Sequence, residues 1–501
     1  MVDAGHAKAT GWGAWRRMAL RIIPALVVLY VVLLIPDAEP PAPPSGQKQP
    51  FAWNQDQLWS ALEAQFAVAR SAGCDRLRAQ IDSSLSQLDS LLAKLAVDSV
   101  GPEDERLALL EARSFHPGPM IAACPERLRE YIDLYSRMRE VIKRQSQRWN
   151  LNSPAARNKL YRLLYGGRAA VEEIMLQAPP EKMPSLIPGN PEPSSTPAAE
   201  ILGVTIHSGD LLVSRGGAPT SALIARGNDY PGNFSHVALV HVDEQTHRVS
   251  IIESHIEKGV AIASIDDYLK DTKLRVMALR LRADLPQLAT DPFLPHRAAA
   301  SALADARTRH IAYDFEMDYR DYAKMFCSEV ASAAYAKFGV TLWMGLSNVS
   351  SRGARSWLGA FGVRHFETQE PADLEYDPQL RVIAEWRDPE TLYKDHLDNA
   401  VIDIMLEGAD SLETLGYAWY LLPVARVMKA SSWVLNLFGA IGPVPEGMNA
   451  TAALRNKEFS RRHDAIKARL VLQADEFKKQ NGYTPPYWAL VRLAREAKRG
   501  M

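Results

Sequence analysis

An α+β fold with helical regions on either side of a mixed core is predicted from three features of this 501-residue sequence. Short β-branched runs occupy 211–213, 236–242, 249–252, 260–263 and 274–281. Turn formers such as Gly216-Gly217, Asn228-Asp229 and Pro231-Gly232-Asn233 punctuate them. Helical patterns at 296–310 and 327–338 follow directly, so strands and helices share one unit. Before residue 178 and after residue 370 the pattern is mainly helical.

The N-terminal elements come first. Lys8, Arg16, Arg17 and Arg21 lead into an apolar run that ends at Ile35. Counted from Met18 it holds 18 residues, with Arg21 its only charge. At about 1.5 Å per residue, such a helix reaches roughly 27 Å, enough to cross a hydrocarbon core if Arg21 snorkels outward. Positive charge before the run, with Asp37 and Glu39 after it, predicts a cytoplasmic segment 1–17 and a transmembrane signal anchor at 18–36. The bulk of the chain is then expected on the periplasmic side of the inner membrane. A cleaved signal peptide is the rival reading. However, the Pro-rich sequence after Ile35 has no small-x-small site free of proline, and no Cys follows for lipidation. Residues 37–50 read as an extended Pro-rich spacer.

Residues 51–177 read as a bundle of three or four helices. Leu77, Ile81, Leu85, Leu88, Leu92 and Leu95 form one apolar stripe. Similar stretches run over 127–149 and 153–176, the latter opened by Ser153 as N-cap and Pro154 at the first helical position. Seven prolines between 179 and 197 make 178–198 a second linker. The mixed unit is placed at 199–370, and a helical region at 371–501. Residues 430–445 carry no charge and include Pro443 and Pro445. They are too short for a span, and fit a buried helix first and an interfacial segment second.

Composition excludes several functions. With 47% hydrophobic and 23% charged residues and a net charge of −1, no global field favours nucleic acid. There is no P-loop, Gly-x-Gly-x-x-Gly or Cys-x-x-Cys pair, so no cofactor or zinc-finger role is expected. His207, His236, His241, His247 and His255 fall close in sequence but on different strands and turns. His236 and His241 have opposite parity on one strand, a poor arrangement for a metal site.

Only three cysteines exist. Cys74 and Cys124 sit at expected helix ends. In an oxidising compartment they are open to pairing, worth about 4 kcal/mol in the chain-entropy account, or to remaining two buried thiols. Cys327 would then be the one free thiol. It opens a small-residue helix, and His236 lies 91 residues upstream in the strand-like run Phe234-Ser-His-Val-Ala-Leu-Val240. A thiol beside an imidazole is the minimal apparatus of cysteine-based acyl transfer, and a helix N-terminus is expected to lower the thiol pKa.

Read together, Gly209-Asp-Leu-Leu, Phe-Ser-His236-Val-Ala-Leu-Val, Ile-Ile-Glu253-Ser-His255, Tyr313-Asp314-Phe315 and Met-Phe-Cys327-Ser-Glu-Val resemble the permuted papain-like amidases of the YaeF/YiiX type. These are distant relatives of NlpC-type cell-wall hydrolases and of the lecithin:retinol acyltransferase group. The resemblance implies a circularly permuted papain-like core in which the histidine strand precedes the nucleophile helix. It also implies Cys327 as nucleophile, His236 as general base and Glu253 as the residue that orients the imidazole, with the Cys327 backbone N–H in the oxyanion hole. Period-2 alternation puts His255 on the same side as Glu253, so His255 stays open as the orienting group or a substrate contact. Tyr313 is a candidate cleft residue, and Asp210 reads as a turn-closing residue.

The expected function is therefore a membrane-anchored cysteine hydrolase. Cell-wall peptide amides are the first substrate class and acyl lipids the second. A catalytically idle envelope-binding module is the alternative from another class. The helical regions are expected to position the site or to hold an envelope partner.

Overall fold

The computed structural model describes residues 23–37, 57–438 and 440–501. Segment 1–17, the first part of the expected anchor (18–22) and 38–50 of the spacer lie outside the described residues. Helix α1 covers 23–33. No helix among the described residues is long and apolar enough to cross a membrane.

Six helices, rather than three or four, build the N-terminal bundle: α2 (Gln57–Ala72), α3 (Cys74–Val97), α4 (Glu105–Phe115), α5 (Gly118–Ala122), α6 (Leu128–Ser146) and α7 (Pro154–Gln177). The apolar stripe of α3 is buried throughout. Ser153 caps α7, its side chain accepting from the Ala156 N–H, with Pro154 at the first turn. Cys74 and Cys124 form a disulfide, their Cα atoms 4.7 Å apart.

Next come β1 (Leu186–Pro188), the hairpin β2 (Ala198–Ile201) and β3 (Val204–His207), β4 (Leu211–Gly216), α8 (Pro219–Arg226), β5 (His236–Val242), β6 (Val249–His255) and β7 (Gly259–Ala263). They are followed by α9 (Ile265–Lys270), β8 (Lys273–Leu281), α10 (Pro286–Thr290), α11 (Leu294–Thr308) and α12 (Cys327–Ala336). A short pair, β9 (Ser347–Asn348) and β10 (Glu367–Thr368), flanks α13 (Arg352–Phe361). The chain closes with β11 (Leu380–Trp386), α14 (Pro389–Asp410), α15 (Leu422–Leu437), α16 (Ala450–Asn481) and α17 (Tyr487–Arg499).

Seven strands form one antiparallel sheet in the order β1-β11-β8-β4-β5-β6-β7. Alternation along the strands feeds two cores. Val213, Val237, Leu239, Ile252 and Met277 pack with α11 and α12. Leu212, Ala238, Val240, Ile251 and Ala278 pack with Tyr268 of α9 and with Ile201 and Ile206 of the hairpin.

Two boundaries differ from those read in the sequence. The sheet does not end at residue 370, because β11 pairs with β8 near its middle. Nor is 178–198 only a linker: β1 lies within it and pairs with β11. Both strands were hidden by their surroundings, one among prolines and the other between helical stretches. A third expectation fails as well. Most apolar side chains of the described part of 430–445 are not buried, with Trp433 64% and Phe438 82% exposed, Val444 being the exception.

The bundle and the sheet are joined by buried charge. Arg168 of α7 donates from Nε to Glu375 Oε1 (2.8 Å) and from Nη1 to Glu385 Oε2 of β11 (2.7 Å). Glu172 of α7 accepts from Arg387 (2.6 Å) and from Arg275 of β8 (3.1 Å). Arg139 of α6 pairs with the other oxygen of Glu385. All seven of these side chains in α6, α7, β8, β11 and the segments beside it are buried. Burying ions is tolerable only when each is paired, so the two regions are bound to one relative arrangement.

Candidate active site

Sheet register builds the site. Ala238 of β5 lies opposite Glu253 of β6, so the carboxylate stands diagonally across from His236, two residues back on the same face. The His236 Nε2 and Glu253 Oε2 atoms are 2.6 Å apart. The other carboxylate oxygen lies 3.0 Å from His255 Nε2. The two imidazole rings are 5.7 Å apart, and Glu253 is 1% exposed between them. Burial opposes ionisation of Glu253, but hydrogen bonds from His236 and His255 and their attraction outweigh it, holding the carboxyl well below the usual range. One carboxylate thus stands within hydrogen-bonding distance of both histidines.

Cys327 sits at the first position of α12, buried. Its Sγ lies 3.9 Å from the Ser235 carbonyl oxygen and takes a hydrogen bond from the Val237 N–H. The thiol is thus held by the main chain on both sides of His236. The expected lowering of its pKa does not occur in the resting chain. Burial pushes the thiol up to about 12, and hydrogen bonds from Val237 and Ser328 offset this only in part. Desolvation of a fully enclosed sulfur outweighs the helix N-terminus.

Glu329, two residues into the helix, accepts from the Phe326 N–H (2.8 Å). Burial, reinforced by Asp314, Asp318 and Asp321, pushes its carboxyl up to about 9, so it is neutral at pH 7. The sign follows from linkage. The unfolded chain releases this proton near pH 4.5 while the folded chain keeps it, so the group's contribution to stability is full below about 4.5 and is lost as pH rises towards about 9. Glu329→Gln keeps the acceptor and removes the titration. It is expected to leave stability at pH 4 unchanged and to raise it by at least about 1 kcal/mol at pH 8, read by urea unfolding at both pH values.

Cys327, His236, His255, Ser254 and Tyr313 line one cleft of about 380 Å³. Tyr313 is positioned by β7. Gly259 has φ +70°, and a Cβ there would meet the Ile311 carbonyl oxygen at 2.1 Å, so only glycine lets the strand approach the 311–313 segment. Burial, with the Cys327 sulfur and Asp314 close by, raises the Tyr313 phenol well above its ordinary value. Asp314 accepts from the Glu316 and Asp318 N–H groups and folds that loop. Asp210 is structural, as its turn position implied: it pairs with Arg280 through both oxygens (2.8 and 2.7 Å) and accepts from the His207 N–H. Of the remaining histidines, His207 contacts the Thr196 carbonyl and His241 stacks near His296.

With this geometry in view, the comparison with known families is decisive for one segment. Residues 205–384 match the permuted papain-like amidase enzyme family, YaeF/YiiX, C92. The matched segment begins at β3, ends inside β11 and contains His236, Glu253 and Cys327. This extent agrees with the observed sheet, which continues past residue 370. The match supports a permuted papain-like amidase or peptidase. Searches of curated proteins and of solved structures found no match.

The cleft also has walls that the sequence did not suggest. Pro445 and Met448, from the loop after α15, and Asn456 and Ser460 of α16 close one side of this cleft. No motif marks them. The charge-free stretch just before Pro445 was the one available signal.

Proposed function

We propose that this chain is a membrane-anchored cysteine hydrolase in which Cys327, His236 and Glu253 act as one unit on an amide carbonyl. The carrying observation is that His236, held 2.6 Å from the buried Glu253 carboxylate, lines the same cleft as the Cys327 thiol. Glu253 occupies Nε2 and leaves Nδ1 of His236 to take the thiol proton. The thiol starts neutral, so its proton moves as sulfur attacks the carbonyl rather than beforehand. The Cys327 N–H at the helix start stabilises the developing oxyanion. His236 then returns the proton to the leaving amine, and water hydrolyses the thioester. Glu253 stabilises the imidazolium between these steps.

The substrate reading is a cell-wall peptide amide, reached from the periplasmic face of the inner membrane. The anchor at 18–36 supports that placement, as does the Cys74–Cys124 disulfide, a bond of oxidising compartments. A second reading, an acyl amide or ester of a lipid, is favoured by the exposed apolar residues near the cleft wall. An idle binding module is disfavoured because all three chemical groups are present and enclosed together.

The test is to incubate the full-length chain in detergent with peptidoglycan and, separately, with phospholipid vesicles, reading products by mass spectrometry. New peptide termini that vanish with Cys327→Ser are expected. Released fatty acid without peptide cleavage would replace the first substrate by the second, and no product from either would count against both. Protease added to spheroplasts is expected to digest most of the chain, whereas full protection would refute the periplasmic placement.

A further inference from the structure

The segment 419–441 presents an unusual surface. Trp419, Tyr420, Val427, Trp433, Val434 and Phe438 are all exposed, between 47% and 82%. Helix α15 has no acidic residue, and its two cations, Arg426 and Lys429, are half-buried and reach main-chain carbonyls of other segments. Arg426 donates to the Val32 carbonyl (3.3 Å) and the Ile35 carbonyl (2.5 Å) at the end of the N-terminal apolar run, and pairs with Asp37. Lys429 donates to the Pro445 carbonyl (2.9 Å). A helix whose cations satisfy protein carbonyls while Trp433 and the valines face outward is not built for water.

Two further observations say what covers it. The face is continuous with α1, whose Val27, Val28 and Val31 are more than half exposed; Tyr30 of α1 donates to the Tyr420 carbonyl (3.4 Å). Asp37 fastens that run to the start of α16 by accepting from Thr451 Oγ1 (2.9 Å) and the Thr451 N–H (3.2 Å). The apolar run thus meets the domain directly beside α15. Trp419, Tyr420 and Trp433 supply the amphipathic rings that favour the headgroup region.

We propose that the 419–441 face lies on the lipid bilayer as a monotopic contact beside the anchor, holding the mouth of the Cys327 cleft at the membrane surface. This rests on the anchor reading above and extends it. The coupling to the cleft is short. Ser432 Oγ accepts from the Val444 N–H (2.9 Å) and Lys429 holds the Pro445 carbonyl, so the docked helix carries the loop whose Pro445 and Met448 form a cleft wall. Substrate would then be taken from molecules resident at the bilayer surface.

Full-length chain carrying Cys327→Ser tests this without any dependence on catalysis. Nitroxide labels are placed singly at Val427→Cys, Val434→Cys and Phe438→Cys, with Val97→Cys, 84% exposed on the bundle, as the aqueous reference. The chain is reconstituted in phosphatidylethanolamine–phosphatidylglycerol vesicles. Collision with oxygen relative to a water-soluble nickel chelate is then read by electron paramagnetic resonance. Burial of the helix face at the headgroup and acyl boundary predicts a ratio about tenfold above the Val97 label at all three sites. Ratios equal to the Val97 label in chain that floats with the vesicles would overturn the docking and leave the anchor intact. Spin–spin broadening between chains would overturn it in favour of a second copy covering the face. Chain that does not float at all would refute both the anchor and the docking.

Discussion

Cys327→Ala is expected to abolish turnover, a loss on the order of 10⁴-fold or more, while leaving the urea unfolding midpoint close to that of the unchanged chain. The sulfur makes one long contact to a carbonyl and takes hydrogen bonds from Val237 and Ser328, so little packing depends on it. His236→Ala is expected to cost nearly as much, because members of such a unit fail together. Glu253→Gln is informative in a different way. The carboxylate accepts from both His236 and His255, whereas an amide has one acceptor and must turn its NH₂ towards the other ring. A loss of roughly 10²–10³-fold is expected, from the missing charge and the disturbed tautomer. His255→Ala removes only the outer partner and is expected to cost less than Glu253→Gln. The reverse order in steady-state rates would make His255 the orienting residue.

The largest stability effect is expected at Arg168→Met. This change leaves Glu375, Glu385 and Glu172 buried with a cation removed from their midst. Breaking such a pair costs about 3–5 kcal/mol, since an uncompensated charge remains. Arg137→Met is the contrast. Its pair with Asp89 is about half exposed, and such pairs contribute about 0–1 kcal/mol. Urea unfolding of the two variants side by side checks the difference, and a loss below about 1 kcal/mol at Arg168 would show that the bundle is not locked to the sheet by this cluster.

The sequence made some of this architecture readable and concealed the rest, for physical reasons. Strand β5 was predicted with the observed bounds because β-branched residues in 236–242 lie between clear turn formers. The α3 stripe was equally plain, since a helix buried on one face must repeat at three and four residues. Strand β11 was missed because Glu385 within it and Arg387 just after it have the charge of solvated groups, and only their distant partners, Arg168 and Glu172, make those positions buried. Burial of a charge depends on who meets it in space, which one strand's sequence does not carry. The same limit applied to Cys327. Its place at a helix start was readable, but the enclosure that raises its pKa was not. At Glu253 the alternation rule correctly placed both polar side chains on one face and could not show that a single carboxylate bridges two rings.

The most direct test of the account is the pH dependence of Cys327 alkylation by iodoacetamide, followed by mass spectrometry in the unchanged chain and in His236→Ala. With burial pushing the thiol up to about 12, labelling near pH 7 requires His236 to accept the proton. The unchanged chain is expected to label measurably between about pH 6 and 9, while His236→Ala falls at least about tenfold and recovers only in strong alkali. Equal labelling of the two chains across that range would contradict a Cys327–His236 unit, and with it the amidase centre proposed for this fold.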